Sequence, residues 1–108
     1  MEHSEDSYKY LSLTHRNRES LSQYYNTKGT KSADEGDLKE ALNFYTKAID
    51  LNPHFTIALF NRGTIKADLG DYKGANKDFS LARNIEIKNR KIKSQGISQL
   101  IVISNREQ

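Results

Sequence analysis

The side chains with the greatest catalytic potential in this sequence are its histidines and its carboxylates. Imidazole ligates metals and transfers protons near neutral pH, but only together with further ligands or a neighbouring acid. His3, His15 and His54 lie too far apart to form a metal-ligand motif, and the 108 residues include no cysteine. The acidic pair Asp34-Glu35 adjoins a predicted turn, where nothing indicates burial that would raise a carboxyl pKa. The sequence therefore predicts no enzyme, no metal site and no cofactor.

A run of cations over residues 83–93 is the second feature that could do chemistry. Its members are Arg83, Lys88, Arg90, Lys91 and Lys93. Phosphates attract such clusters, so a nucleic-acid-binding accessory protein is one alternative function. No aromatic residue lies among them to stack on bases, and cations also gather at helix C-termini because of the helix dipole. With 17 basic and 14 acidic residues in the chain, the net charge of +3 does not single out nucleic acid as the partner.

The elements that would position these residues repeat along the chain. A displacement of 34 residues aligns nine identical residues between windows 22–53 and 56–87, where ordinary composition gives about two. The aligned pairs are Gly29/Gly63, Thr30/Thr64, Ala33/Ala67, Asp34/Asp68, Gly36/Gly70, Asp37/Asp71, Lys39/Lys73, Ala41/Ala75 and Ala48/Ala82. Repetition at this period predicts two copies of one supersecondary unit.

Each copy has the pattern of two helices joined by a tight turn. Apolar residues at three- and four-residue steps over 38–49 predict an amphipathic helix. Gly36 is suited to end the preceding helix, and Asp37 with Glu40 forms a capping box for the next. Asn52 and Pro53 predict the end of that helix and the first turn of another. The remaining helices are predicted at about 18–35, 53–69 and 72–84.

In these features the sequence resembles the tetratricopeptide-repeat family. Five positions of the family pattern are occupied, in the first and second unit respectively, by the pairs Tyr25/Leu59, Gly29/Gly63, Ala41/Ala75, Tyr45/Phe79 and Pro53/Ile87. The leucine before the glycine is Lys28 or Arg62 here, the tyrosine after it is Ser32 or Lys66, and Ile87 stands where the second unit would have the helix-ending proline. The resemblance covers about residues 22–87 and implies an all-α, helix-turn-helix repeat array in which small residues let the helices approach closely.

The chain is therefore expected to have three parts. Residues 1–17 form an N-terminal arm that is flexible or lightly docked, residues 18–87 form the two repeats, and residues 88–108 form a C-terminal capping segment. Asn76 and Arg83 replace Leu42 and Ile49 of the first repeat, and polar residues on this face indicate that the array ends here.

The C-terminal segment contains five large aliphatic residues between Ile97 and Ile103. We expect a partial third helix that caps the stack and buries Ile92, Leu100 and Ile103. Because isoleucine and valine favour strands, a strand is the alternative. One face of a helix cannot hide all five aliphatics, which also predicts weak homodimerisation through residues 97–103.

The resemblance implies an adaptor that binds another protein in a concave groove lined by the first helix of each repeat. The occupant would be a peptide or a partner helix. The candidate groove residues are Gln23, Asn26, Thr30, Ile57, Phe60, Asn61, Thr64 and Lys91. The sequence does not distinguish such an adaptor from a small regulatory subunit of an enzyme.

Co-chaperone members of the family hold a terminal carboxylate with converging lysine, asparagine and arginine side chains, and this sequence matches that clamp in part. Charge-assisted hydrogen bonds to a carboxylate require such convergence. Asn61 and Lys91 match the pattern, whereas Asn26, Thr30 and Gln95 depart from it. Carboxylate binding is therefore an alternative to the general interaction module.

The sequence also bears on location. No apolar run approaches the ~20 residues that cross a bilayer. The segment Met1–Asp6 is acidic and lacks the apolar core of a secretory signal. We expect no membrane insertion, and the cytoplasm is the default location.

Overall fold

A computed structural model describes residues 14–106 of the chain as four α-helices, with side chains described up to Gln95. They are α1 (His15–Asp34), α2 (Leu38–Leu51), α3 (Thr56–Asp68) and α4 (Tyr72–Arg106). Helix α1 packs against α2 to form the first helical hairpin, and α3 packs against α4 to form the second. Contacts between α2 and α3 join the two hairpins. This confirms the predicted all-α helix-turn-helix array. Most of the predicted N-terminal arm lies outside the described residues.

The turn inside each hairpin is closed by the same glycine and aspartate. Gly36 and Gly70 have φ of 84° and 89°, a left-handed conformation that favours glycine. After Gly36, the Asp37 N–H donates to the Ser32 carbonyl at 2.9 Å, which completes a Schellman motif. The Asp37 carboxylate accepts the Glu40 N–H at 3.1 Å and caps α2. The predicted end of the first helix and start of the second are therefore confirmed.

Close helix packing inside each hairpin depends on one glycine facing one aromatic ring. A Cβ placed on Gly29 would lie 2.6 Å from a ring carbon of Tyr45, and one on Gly63 would lie 2.7 Å from a ring carbon of Phe79. The Tyr45 hydroxyl is also 2.9 Å from the Thr30 hydroxyl. The core between and beside these contacts contains Ala41, Ala48, Ile49, Ala58, Leu59, Ile65 and Ala82.

Three predicted helix boundaries are wrong. Helix α1 begins at His15 rather than near Arg18, because the Thr14 hydroxyl accepts the Asn17 N–H at 3.2 Å and caps the helix there. Helix α3 begins at Thr56 rather than at Pro53, because Phe55 donates its N–H to the Asn52 carbonyl at 3.0 Å in a turn that precedes the helix. Helix α4 does not end near Asn84 but continues to Arg106. Where the first repeat has Pro53, the second has Ile87, so no missing N–H interrupts α4.

The extension of α4 changes the prediction for the C-terminal segment. Residues 88–106 continue α4 and do not form a separate helix. Ile92 is 68% exposed, so the prediction that it is buried is wrong. Leu100 and Ile103, predicted to be buried with it, lie outside the described side chains. Asn76 and Arg83, by contrast, are exposed, as expected for a polar outer face.

Candidate binding groove

Six candidate residues occupy three equivalent positions on the first helix of each repeat. Gln23, Asn26 and Thr30 follow one another at helical spacing on α1, and Ile57, Phe60 and Thr64 occupy the same positions on α3. Steps of three and four residues place each set on one helix face. The repeat thus produces two similar faces with different chemistry, polar on α1 and partly apolar on α3.

A side-chain hydrogen bond joins the two faces. The Asn61 Nδ2 donates to the Asn26 Oδ1 at 3.1 Å, and both residues are half-buried. This bond uses one donor of Asn61 and the carbonyl oxygen of Asn26. Among the described residues, the Asn26 amide donors and the Asn61 carbonyl oxygen make no other hydrogen bond, which leaves both for a ligand.

The threonine hydroxyls are engaged within the protein. Thr64 donates to the Phe60 carbonyl at 2.9 Å, and Thr30 lies 3.2 Å from the Asn26 carbonyl and 2.9 Å from the Tyr45 hydroxyl. Their oxygen atoms therefore contribute to local structure.

The apolar part of the groove lies on α3. Ile57 is 60% exposed and Phe60 is 38% exposed, whereas Ala58 and Leu59 between them are buried. The Phe60 ring packs against Phe79 of α4, with 6.0 Å between ring centroids. Helix α4 thus fixes the position of Phe60 while Ile57 remains open to a partner.

Lys91 occupies a different part of the molecule. It is exposed on α4, within residues 87–95, all of which are exposed. No hydrogen bond or ion pair among the described side chains links it to the other seven candidates. Helix α4 runs without interruption through this region, so no third repeat begins there to carry Lys91 into the groove.

The five cations of residues 83–93 are also exposed, but they do not share one face. An α-helix turns by about 100° per residue, so Arg83, Lys88 and Lys93, five residues apart, point in three different directions. The five cations are close in the sequence, but the helix distributes them around its circumference, so they do not form one positively charged face.

An ion-pair network between α3 and α4 was missed by sequence reasoning. Arg62 donates to both carboxylate oxygens of Asp78 at 2.8 Å, and Lys66 lies 3.2 Å from the same carboxylate. Asp78 is only 3% exposed. Burial raises the pKa of its carboxyl group, but hydrogen bonds and charges from Arg62 and then Lys66 outweigh this effect, so the pKa lies below its usual value.

The repeat register contains the signal that could have revealed this network. Arg62 and Asp78 occupy the positions that Lys28 and Phe44 occupy in the first repeat. There the Lys28 ammonium lies 5.8 Å from the centroid of the Phe44 ring. A cation faces an aromatic ring in one repeat and a carboxylate in the other. Because Arg62 adjoins Asn61, the Asp78 contact helps to position the groove side of α3.

A separate concave feature lies on α4, away from the candidate groove. A shallow depression of about 490 Å³ on α4 is lined by Lys73, Asn76, Lys77, Ser80, Leu81 and Asn84. Within the described part of the chain, no three metal-ligating side chains converge. None of the helices described between residues 14 and 106 has the length and apolar content that crossing a bilayer requires.

Comparison with known proteins identifies the repeat. The profile of the tetratricopeptide-repeat family matches residues 22–55, which cover most of α1 and all of α2. Residues 22–55 of this chain form a tetratricopeptide repeat. Such repeats are protein–protein interaction modules and are generally not catalytic.

Curated relatives support the same family. The chain is 39% identical over 57 residues to an uncharacterized protein of Methanocaldococcus jannaschii, with 53% of this chain and 66% of that protein aligned. It is 43% identical over 54 residues to tetratricopeptide repeat protein 36 of Danio rerio, which covers 50% of this chain and 29% of that protein.

A third relative is an enzyme of which this chain covers a small part. The UDP-N-acetylglucosamine–peptide N-acetylglucosaminyltransferase of Giardia intestinalis is 37% identical over 67 residues, which are 62% of this chain and 4% of that enzyme. Because the chain spans less than two thirds of each of these three relatives, the similarity concerns the repeat unit and does not carry over a whole protein's activity.

Proposed function

We propose that this protein is an adaptor that binds a peptide or a partner helix along the faces of α1 and α3. The observation that supports this most directly is the Asn26–Asn61 hydrogen bond, which ties the two faces together beside an exposed Ile57. A binding site needs apolar contact area and a few oriented polar groups, and this surface has both.

The groove chemistry favours a particular kind of ligand. The exposed side chain of Ile57 and the partly exposed ring of Phe60 would receive one apolar side chain of the partner. The Asn26 amide and the Asn61 carbonyl would then pair with its backbone C=O and N–H groups. No basic side chain is among these four contacts, so the proposed site does not require a carboxylate on the ligand.

The test uses two isoleucines that differ only in location. A phage-displayed peptide library is panned against the full-length chain, and the affinities of selected peptides are measured by calorimetry for Ile57→Glu and Ile92→Glu. Ile57 is 60% exposed and Ile92 is 68% exposed, so neither substitution removes core packing. We expect about a tenfold or greater loss of affinity for Ile57→Glu, since it introduces a charge at the apolar contact.

The control variant, Ile92→Glu, should bind the selected peptides with the affinity of the native chain. Equal affinity of the two variants would exclude the α1–α3 groove as the binding surface. An affinity loss confined to Ile92→Glu would transfer the site to the C-terminal part of α4.

A further inference from the structure

One side of α2 is covered by the first helix of the second repeat. Leu38 and Leu42 of α2 pack against the buried cluster that contains Ile65 of α3. Farther along α2, Ile49 lies in the same buried cluster as Ala58 of α3. Ala58 and Ile65 are seven residues apart, which places them on one face of α3, about two helical turns from each other. The first repeat thus shows how a helix packs on this side of its second helix.

The equivalent side of α4 is exposed. The displacement of 34 residues puts Tyr72, Asn76 and Arg83 at the positions of the three aliphatic residues of α2. Tyr72 is 69% exposed, Asn76 and Arg83 are exposed as well, and no element of the described part of the chain packs over them. The shallow depression on α4 adjoins this side, since Asn76 lines it together with Lys73 and Lys77. We call these five residues the end face.

The end face is positively charged. Its cations are Lys73, Lys77 and Arg83, and residues 72–85, which correspond to α2, contain one carboxylate, that of Asp78. Asp78 is buried and paired with two basic side chains of α3, so it does not neutralise the end face. A cation enclosed in a protein contact requires an opposite charge beside it. A helix that covers this face must therefore bring carboxylates, in contrast to the apolar residues that α3 presents to α2.

We propose that the end face binds an acidic amphipathic helix of a partner protein, in the way that α3 packs on α2. The partner residue at the position of Ala58 carries a carboxylate that pairs with Arg83. The partner residue at the position of Ile65, seven residues later, is apolar and contacts the ring of Tyr72. Further carboxylates meet the two lysines. The end face contains no residue of the α1–α3 groove, so this proposal does not rest on the proposed function.

A second copy of this chain fits the end face poorly. Its α1 is the helix that corresponds to α3, and α1 has Lys31 at the position of Ile65. In the same packing, Lys31 would lie beside Lys73 and Lys77, where like charges repel. Charge complementarity therefore favours an acidic helix from another protein.

Selection from a helical peptide library tests the chemistry of this partner. Phage-displayed peptides of about 18 residues, long enough to form a helix, carry glutamate, lysine, leucine or alanine at every position and are panned against the full-length chain. We expect the selected sequences to contain more glutamate than lysine, with a glutamate seven residues before a leucine. Selected sequences with equal amounts of glutamate and lysine, or no selected sequence, would overturn the proposal.

Two charge-reversed variants locate the site. Lys77→Glu with Arg83→Glu should weaken binding of the selected peptide, measured by calorimetry, at least about tenfold. Lys88→Glu with Lys93→Glu makes the same charge change on α4 beyond the stretch that corresponds to α2, and its affinity should stay within about twofold of the native value. All four side chains are exposed, so neither pair removes core packing. Equal losses for both pairs would indicate general attraction and overturn the proposal.

A charge swap keeps the test decisive if the first pair of substitutions disturbs the fold. A peptide with lysine in place of the selected glutamate should bind the Lys77→Glu, Arg83→Glu chain more tightly than it binds the native chain. If the swapped peptide preferred the native chain, direct pairing with Arg83 would be wrong.

Two further measurements separate the end face from other binding modes. Ile57→Glu, which alters the α1–α3 groove, should not change the affinity of the selected peptide. A loss would place the peptide in the groove and exclude the end face, whereas the groove proposal fails only if its own peptides are insensitive to Ile57→Glu. A short DNA duplex should not displace the peptide at physiological salt. Displacement that disappears in the Lys77→Glu, Arg83→Glu chain would identify a nucleic-acid site in place of a helix-binding one.

Discussion

The contact between Gly29 and Tyr45 predicts the cost of adding one methyl group to α1. In Gly29→Ala the new Cβ would lie 2.6 Å from a Tyr45 ring carbon, which is 0.8 Å inside the 3.4 Å at which ordinary contact begins. Overpacking of this kind costs about 1–3 kcal/mol. Alanine regains about 1 kcal/mol through its helix propensity. If the ring shifts, the Tyr45–Thr30 hydrogen bond is lost as well, at about 1 kcal/mol.

The second repeat supplies an internal control for this prediction. Gly63→Ala places a Cβ 2.7 Å from Phe79, a nearly equal overlap, but Phe79 is half-buried and has no hydroxyl group to lose. We therefore expect Gly29→Ala to lower the free energy of unfolding by about 1–3 kcal/mol and Gly63→Ala by about 1 kcal/mol less.

Urea unfolding followed by circular dichroism at 222 nm measures both values. In a Tyr45→Phe background, the cost of Gly29→Ala should fall to that of Gly63→Ala, which isolates the hydroxyl contribution in a double-mutant cycle. If Gly29→Ala matched or exceeded native stability, helix propensity would outweigh the ring contact and the reasoning would be refuted.

Three further predictions concern charge and assembly. Because the pKa of Asp78 is lowered in the folded state, its ion pairs stabilise the fold fully above the unfolded pKa of about 3.9 and lose this effect as the pH falls through the folded pKa. The urea midpoint should therefore drop more steeply in acid for the native chain than for Asp78→Asn. Parallel pH curves for the two proteins would contradict this prediction. Sedimentation of the full chain should depend on concentration and cease to do so when residues 97–108 are deleted; a native chain that stays monomeric would exclude the proposed homodimer. In a mobility-shift assay at physiological salt, the dispersed cations of α4 should give no stable nucleic-acid complex, and a complex lost on Lys88→Glu with Lys91→Glu would reverse that expectation.

The parts of the fold that depend on local chemistry could be predicted from the sequence. Gly36 with Asp37 ends one helix and starts the next through contacts within a few residues, and the second repeat uses the same pair. The exposed positions of Asn76 and Arg83 followed from comparison of the two repeats, because one repeat shows which face the other must present.

The parts of the fold that depend on competing local signals or on distant partners could not be predicted from the sequence. Pro53 fits the first turn of a helix, yet the chain makes a turn over Asn52–Phe55 first, and both choices are compatible with proline. The Arg62–Asp78 pair joins residues 16 apart on two helices, and its existence depends on which way each side chain faces after packing. Helix α4 continues because its sequence contains no strong breaker, and Gly96 costs only about 1 kcal/mol within a helix.

Helix α4 extends beyond the repeats, and this exposed part of the helix should unfold differently from the packed repeats. From residue 87 to residue 95 every side chain is exposed, so this part of the helix is held by its own backbone hydrogen bonds. The packed first half supplies the nucleus, which removes the largest barrier to helix formation. We therefore expect the exposed part of α4 to lose helix gradually as the temperature rises, and the packed repeats to unfold in a steeper transition. A partner that covered the exposed part of α4 would couple its unfolding to that of the repeats, and we would then expect a single cooperative transition.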